Sequence, residues 1–410
     1  MLDEKTIINL KEFYRKHLLE DVIAFWEPRT KDDEYGGYFT CFDRTGKITG
    51  TDKYIWFQGR NLWMFSALYN EIGKDEKWLD LAKHGRDFLV EKAYAGNGRW
   101  YYQLDRQGSV LVGTNSIFSD LFVVAGLAEY AVASGKDEDV DLIRVVYDTI
   151  ERNTYDLDFK DIYHNKWDPR YKRHGIYMIN LITVPIVGKV LGQDYVKPLM
   201  DHCLEQVLYV FAKDEQNALL EAVGRDDRFV DEPEGRVVYP GHTMESCWAS
   251  LEEGIHREDD GIIERAIQIA KWGHEWGYDK EFGGIVSYRD VKDVDPLQMD
   301  WNKEVNMQWS DKNFWVNAEA LYTLALTALV KDDQTWFDHF IKQHEWCQKY
   351  FYDPEYGEWY AELNRDGSVK NPDKGTMWKS AYHVPRALLF TYKAMDRYLA
   401  DRSSRRVEKP

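Results

Sequence analysis

Five tight polar turns alternate with six long connections along this chain, and that alternation restricts its fold more than any other feature. Apolar residues recurring at helical spacing predict helices over 4–27, 58–73, 75–93, 117–135, 137–153, 176–192, 195–212, 242–256, 259–276, 313–331, 333–351 and 379–399. The short turns lie at Gly73-Lys74-Asp75, Gly135-Lys136-Asp137, Gly192-Gln193-Asp194, Arg257-Glu258-Asp259 and Lys331-Asp332-Asp333. The long connections cover 28–57, 94–116, 154–175, 213–241, 277–312 and 352–378. A short turn forces its two helices to run antiparallel as neighbours, so the chain reads as six helical hairpins. Six such hairpins predict an all-α fold, an (α/α)6 barrel with alternate helices in inner and outer rings. The short turns then gather on one rim and the long loops on the other.

The long loops repeat among themselves. Tyr35-Gly-Gly-Tyr-Phe precedes Asp43-Arg-Thr-Gly, and Asn97-Gly-Arg-Trp-Tyr precedes Asp105-Arg-Gln-Gly. Phe282-Gly-Gly-Ile-Val is a third copy; Tyr356-Gly-Glu-Trp-Tyr with Asn364-Arg-Asp-Gly is a fourth. Each reads as a short β-hairpin closed by a D/N-R-x-G turn. No linker divides the chain, so residues 1–400 are expected to form one domain, with 401–410 as a flexible tail.

Composition narrows the partners. With 44% hydrophobic and 15% aromatic residues there is ample material for a large core, and aromatic rings also suit the C–H face of a sugar. A net charge of −18 argues against nucleic acid, whose phosphates need a basic surface. Cys41, Cys203, Cys247 and Cys347 are far apart and form no CxxC pair, the pattern of reduced thiols in a reducing compartment. The N-terminal Met1-Leu2-Asp3-Glu4-Lys5 is no signal-peptide core, and no apolar run approaches the roughly 20 residues of a membrane span. A cytoplasmic protein with no membrane partner is expected, and a homodimer is compatible with the sequence.

Functional residues should sit on the rim that carries the long loops. The helices entered from those loops begin near Arg60 and Trp63, Ser119 and Asp120, His174 to Asn180, His242 and Glu245, Trp315 and Glu319, and Trp378 with His383 and Arg386. His242 and Glu245 stand three residues apart on one helix face, so a carboxylate is placed to fix the imidazole tautomer. His383 falls at a helix start marked by Pro385, where the helix dipole opposes a positive imidazolium. Arg60 at such an end runs against the dipole, so it is expected to meet a carboxylate or a ligand. The ordinary alternatives are a histidine cap, a packed core histidine and a surface glutamate. No P-loop, GxGxxG, HExxH or GxSxG motif is present, and His202 with Glu205 lacks a third ligand, so no metal site is expected.

Taken together, Trp56-Phe-Gln-Gly-Arg-Asn-Leu-Trp63, Pro240-Gly-His-Thr-Met-Glu-Ser-Cys-Trp248, Asn313-Phe-Trp-Val-Asn-Ala-Glu319 and Tyr382-His-Val-Pro-Arg386 resemble the N-acylglucosamine 2-epimerase family nearly end to end. The resemblance implies an (α/α)6 barrel that interconverts sugars differing at C2. It implies His242 and His383 as the acid/base pair, Arg60 and Glu319 as essential site residues, and Glu245 as the support of His242. Trp63, Ser119, Asn180, Trp315, Trp378 and Arg386 are the expected substrate-binding residues. No cofactor is required by this chemistry, and a nucleotide activator such as ATP finds no P-loop here. The helix segment His174-Gly-Ile-Tyr-Met-Ile-Asn180 departs from the disaccharide-specific relatives, whose extra histidine is not assigned in it. The His-Val-Pro-Arg wording favours N-acetylglucosamine and N-acetylmannosamine. The rivals are a free-hexose or disaccharide 2-epimerase, a mannose aldose–ketose isomerase, an (α/α)6 glycoside hydrolase and a non-enzymatic binding toroid.

Overall fold

A computed structural model describes residues 2–161, 169–294 and 308–407. Twelve main helices run through the described residues, and we number them in chain order. They are α1 (Glu4–Lys16), α2 (Ile55–Glu71), α3 (Glu76–Phe88), α4 (Ile117–Ser134), α5 (Val140–Tyr155), α6 (Gly175–Leu191), α7 (Gln193–Glu205), α8 (Pro240–Arg257), α9 (Asp260–Gly277), α10 (Phe314–Lys331), α11 (Gln334–Tyr350) and α12 (His383–Val407). Helices α1, α3 and α7 are prolonged by π-helical turns at His17–Ile23, Leu89–Ala93 and Gln206–Phe211.

The even-numbered helices pack successively, α2 on α4, α4 on α6, and so on to α10 on α12. The ring closes through side chains, with Trp63 of α2 lying 5.4 Å from Tyr382 and 6.0 Å from Phe390 of α12. The odd-numbered helices surround this ring, each packed beside its hairpin partner, so the architecture is the (α/α)6 barrel. An inner helix is covered on both sides, which is why α4, α6 and α10 are apolar on nearly every face. The span Ile117–Ser134 is apolar and long enough to cross a membrane by composition, contrary to the expectation that no run comes close. Its 78% burial explains that composition, because it is an inner helix of the barrel.

The tight turns owe their form to aspartates. Asp75, Asp259 and Asp333 accept the backbone N–H of Lys77, Ile262 and Trp336 respectively, capping α3, α9 and α11. Such a cap typically contributes about 1 kcal/mol. The last helix begins at His383 and not at 379, and it continues through Val407.

The long-loop hairpins are tied together by one repeated device. Asp32, Asp279 and Asp353 each stand four residues before a glycine turn and accept a buried lysine, Lys53, Lys312 and Lys374, at 2.9, 3.1 and 3.0 Å. An arginine of the next D/N-R-x-G turn joins each pair. Arg106 reaches Asp32, Arg365 reaches Asp279, and Arg44 reaches Asp353. The last contact spans the first and final repeats, so it helps to close the ring. Burial opposes ionisation of Asp32, but Arg106 and Lys53 outweigh it and hold the carboxyl at about 2. At Gly37 a Cβ would lie 2.8 Å from both Gln58 Oε1 and a ring carbon of Phe88, and φ is +69°, so the turn requires glycine.

Candidate active site

Two imidazoles meet on one aromatic ring. The centroid of Trp315 lies 5.3 Å from that of His242 and 5.5 Å from that of His383. Each histidine stands at the start of its helix, α8 or α12, and Trp315 stands at the start of α10 between them. Tyr239 continues the wall, 4.3 Å from the ring of His242 and 5.0 Å from Trp315.

Each imidazole is oriented through Nδ1 by a carboxylate. His383 Nδ1 lies 2.7 Å from Glu319 Oε1, whose other oxygen accepts the Trp248 indole N–H at 2.7 Å. His242 Nδ1 lies 3.0 and 2.9 Å from the two oxygens of Glu221. This corrects the expectation that Glu245 supports His242. Glu245 instead accepts from Arg386 at 2.6 Å, and the same Arg386 nitrogen donates to Glu319 at 2.6 Å. With Nδ1 held in both rings, Nε2 is the atom left to serve a ligand.

The two histidines are electrostatically unequal. Burial and the cations Arg60 and Arg386 push His383 well below the ordinary imidazole range. Burial also disfavours the charged form of His242, but Glu221, with Glu245 and Glu319 behind it, outweighs that and raises it. Glu221 in turn is held at about 2, because its two histidine neighbours overcome the cost of burial.

Arg60 sits in an aromatic cage. Its guanidinium carbon is 4.0 Å from the Phe122 ring, 4.7 Å from Tyr382 and 5.1 Å from Trp56. It has no carboxylate salt bridge among the described residues, and burial lowers it to about 10. Of the two partners the sequence offered, a carboxylate salt bridge is not found among the described residues, and Glu245 and Glu319 act on the charge only from a distance. Trp378 is exposed above the cage, 5.6 Å from Trp56.

The other expected ligand contacts take different places in the barrel. Asn180 donates through its amide nitrogen to Thr154 at 3.1 Å and to the Ile176 carbonyl at 2.8 Å, which ties α6 to α5, while its Oδ1 has no partner among the described residues. Trp63 lines a cavity of roughly 420 Å³ together with Trp248, Tyr322, Lys393 and Arg397, toward the short-turn rim. Arg386 is buried beneath the site as the partner of two carboxylates. Ser119 is buried and its Oγ has no partner among the described residues.

Glu221 and His174 are the residues that sequence reasoning missed as a pair. Strand Tyr171–Arg173 pairs antiparallel with Ala222–Gly224, and the His174 N–H donates to the Glu221 carbonyl at 3.1 Å. That register brings both side chains beside His242, with His174 Nδ1 3.8 Å from Glu221 Oε1. No helical spacing signals it, since the pairing joins two different long loops.

The carboxylates that the sequence offered to the glycosidase rival are all engaged by arginine. An inverting glycosidase needs two carboxylates on opposite walls, about 6.5–9.5 Å apart. Glu245 and Glu319 share one arginine nitrogen, so they sit side by side, and Asp120 is bound to Arg99 and to the Trp100 N–H.

A barrel of this topology, with two carboxylate-oriented imidazoles beside an arginine in an aromatic cage, has the makings of an acid/base enzyme. The model of the N-acylglucosamine 2-epimerase family matches residues 37–387, and the chain belongs to that family. It is 29% identical to the human N-acylglucosamine 2-epimerase, covering 90% of this chain and 86% of that protein. It is 26% identical to the cellobiose 2-epimerase of Dictyoglomus turgidum, covering 94% and 98%. The crystal structure of a D-mannose isomerase superposes with a TM-score of 0.79 at 19% identity, covering 93% and 97%. The protein is thus a carbohydrate 2-epimerase, an enzyme of the isomerase class.

Proposed function

We propose that the enzyme interconverts N-acetylglucosamine and N-acetylmannosamine by removing the C2 proton with one histidine and returning a proton with the other. The observation that carries this reading is the placing of His242 and His383 against the same Trp315 ring, each with Nδ1 engaged by a carboxylate. Ring opening exposes an aldehyde that acidifies the C2 proton. One Nε2 takes it, and the electrons pass to the carbonyl oxygen as an enolate. The other imidazole delivers a proton to the opposite face of C2, inverting it. Arg60, cationic and without a carboxylate salt bridge among the described residues, is suited to the developing oxyanion. The proton removed is replaced by another, so no electrons are gained or lost overall and no redox cofactor is needed. The identity to the human N-acylglucosamine 2-epimerase supports the acylhexosamine substrates.

The test is incubation of N-acetylmannosamine, mannose and cellobiose with the enzyme in heavy water, followed by NMR of C1 and C2. Deuterium at C2 of N-acetylglucosamine formed from N-acetylmannosamine is the expected result. Turnover of only mannose or cellobiose overturns the substrate, and a ketose product overturns the epimerase outcome. His242→Ala and His383→Ala are each expected to reduce kcat by about 10²–10⁴-fold, the usual contribution of a general acid or base.

A further inference from the structure

The described residues hold two clusters of one kind, each combining histidine and carboxylate donor atoms within 4.8 Å of one another: Glu245, Glu319 and His383, and His174, Glu221 and His242. The first is already filled. Arg386 places one nitrogen 2.6 Å from both Glu245 and Glu319, so a fixed positive charge occupies the position a cation would need. The second has no arginine or lysine bound to Glu221 among the described residues, and its carboxylate meets only the two imidazoles.

His174 makes that second cluster more than a catalytic pair. Its side chain is fully buried, its Nε2 is engaged by Ser246 Oγ at 2.9 Å, and its Nδ1 has no hydrogen-bond partner among the described residues. That Nδ1 faces Glu221 Oε1 at 3.8 Å, while His242 Nδ1 lies 3.0 Å from the same oxygen. Two donors bound to one ion at about 2.1 Å stand at most about 4.2 Å apart; both distances to Glu221 satisfy that limit as they are, and the two imidazoles lie within 4.8 Å of each other. Two neutral imidazoles and one carboxylate are a donor set suited to borderline divalent ions such as Zn²⁺. His242 and Glu221 are partly exposed, so an ion has access from the mouth.

We propose that His174, Glu221 and His242 form a divalent transition-metal site, and that an ion bound there inhibits the epimerase. The ion takes the place of the proton between His242 Nδ1 and Glu221, and that proton passes to Nε2, so the atom that faces the sugar no longer has a free lone pair. It fixes the imidazole as a ligand and removes its capacity to exchange a proton with the sugar. The metal-binding half stands on the donor geometry alone. The inhibitory half rests on the proton-transfer reading given above.

The experiment is calorimetric titration of the full chain with Zn²⁺, and with Co²⁺ followed by its visible ligand-field absorption, in the absence of sugar. One ion per chain is expected, with the intense bands of a low-coordinate Co²⁺ site. His174→Ala and Glu221→Gln are each expected to weaken binding at least tenfold, and His174→Gln provides a milder variant should the alanine fail to fold. Glu245→Gln, in the filled cluster, is expected to leave the affinity unchanged. Absence of saturable binding, or equal weakening by Glu245→Gln, overturns the site. A parallel heavy-water assay should lose C2 exchange as Zn²⁺ is added and regain it with a chelator. Binding without inhibition overturns the inhibitory half and leaves the site standing.

Discussion

The two walls of the active site are built from the same ingredients and reach opposite electrostatic ends. On one wall Glu319 holds His383 while sharing Arg386 with Glu245, so a carboxylate pair is neutralised from behind. On the other wall Glu221 holds His242 with a second histidine beside it and no arginine or lysine bound to it among the described residues. The imidazole beside the arginines is pushed down and the one beside the lone carboxylate is raised. At His242 the adjacent Glu221 outweighs burial, whereas at His383 burial with the cations Arg60 and Arg386 prevails although a carboxylate holds its Nδ1.

The harshest way to break this comparison is Arg386→Leu. It leaves Glu245 and Glu319 buried without their cation, an arrangement that costs about 3–5 kcal/mol. The expected outcome is a fall of that size in the unfolding free energy from chemical denaturation, and an unchanged stability would mean the two carboxylates are neutral or solvated. Glu221→Gln and Glu319→Gln sharpen the contrast on activity. Each removes a charged hydrogen bond worth about 1.5–3 kcal/mol, so kcat should drop by about 10–100-fold in steady-state assays. A loss confined to one variant would show that only one wall depends on its carboxylate.

A milder probe uses two histidines that have no carboxylate partner among the described residues. His274 packs on His339 with centroids 4.3 Å apart, and His344 bonds the Tyr14 hydroxyl at 2.8 Å. Burial, with cationic neighbours, lowers each to about 4. Between that value and the unfolded value near 6.5 the unfolded chain binds more protons, so stability rises with pH. It is fully present above about 6.5 and is lost as pH falls from there toward 4. Denaturation at pH 5.5 should show about 1 kcal/mol less stability per histidine than at pH 7.5, and His274→Gln should flatten part of that slope.

The scaffold was legible because its signals are local. Tight turns such as Lys331-Asp332-Asp333 carry an N-cap aspartate, and the long helices carry their spacing over many turns. The D/N-R-x-G repeats also read correctly as turns, but their purpose did not. Arg44 binds Asp353, which is 309 residues away. Of the site, His242, Trp315, Glu319 and His383 stand together at inner-helix starts, where the alternation of loops placed them. Asn180 shares that rim by chain position, yet its amide turns toward α5, since one residue along a helix rotates a side chain by about 100°.

Helical periodicity, turn chemistry and the order of long and short loops are properties of neighbouring residues, and by themselves they determined a six-hairpin barrel with two histidines on one rim. The partner of each histidine was decided only in three dimensions. Glu245 is one turn from His242 in the chain, but Arg386 from the last helix takes its carboxylate, and a two-strand register brings in Glu221 instead. A strong buried charge goes to whichever opposite charge packing places within reach, and sequence distance has no part in that choice.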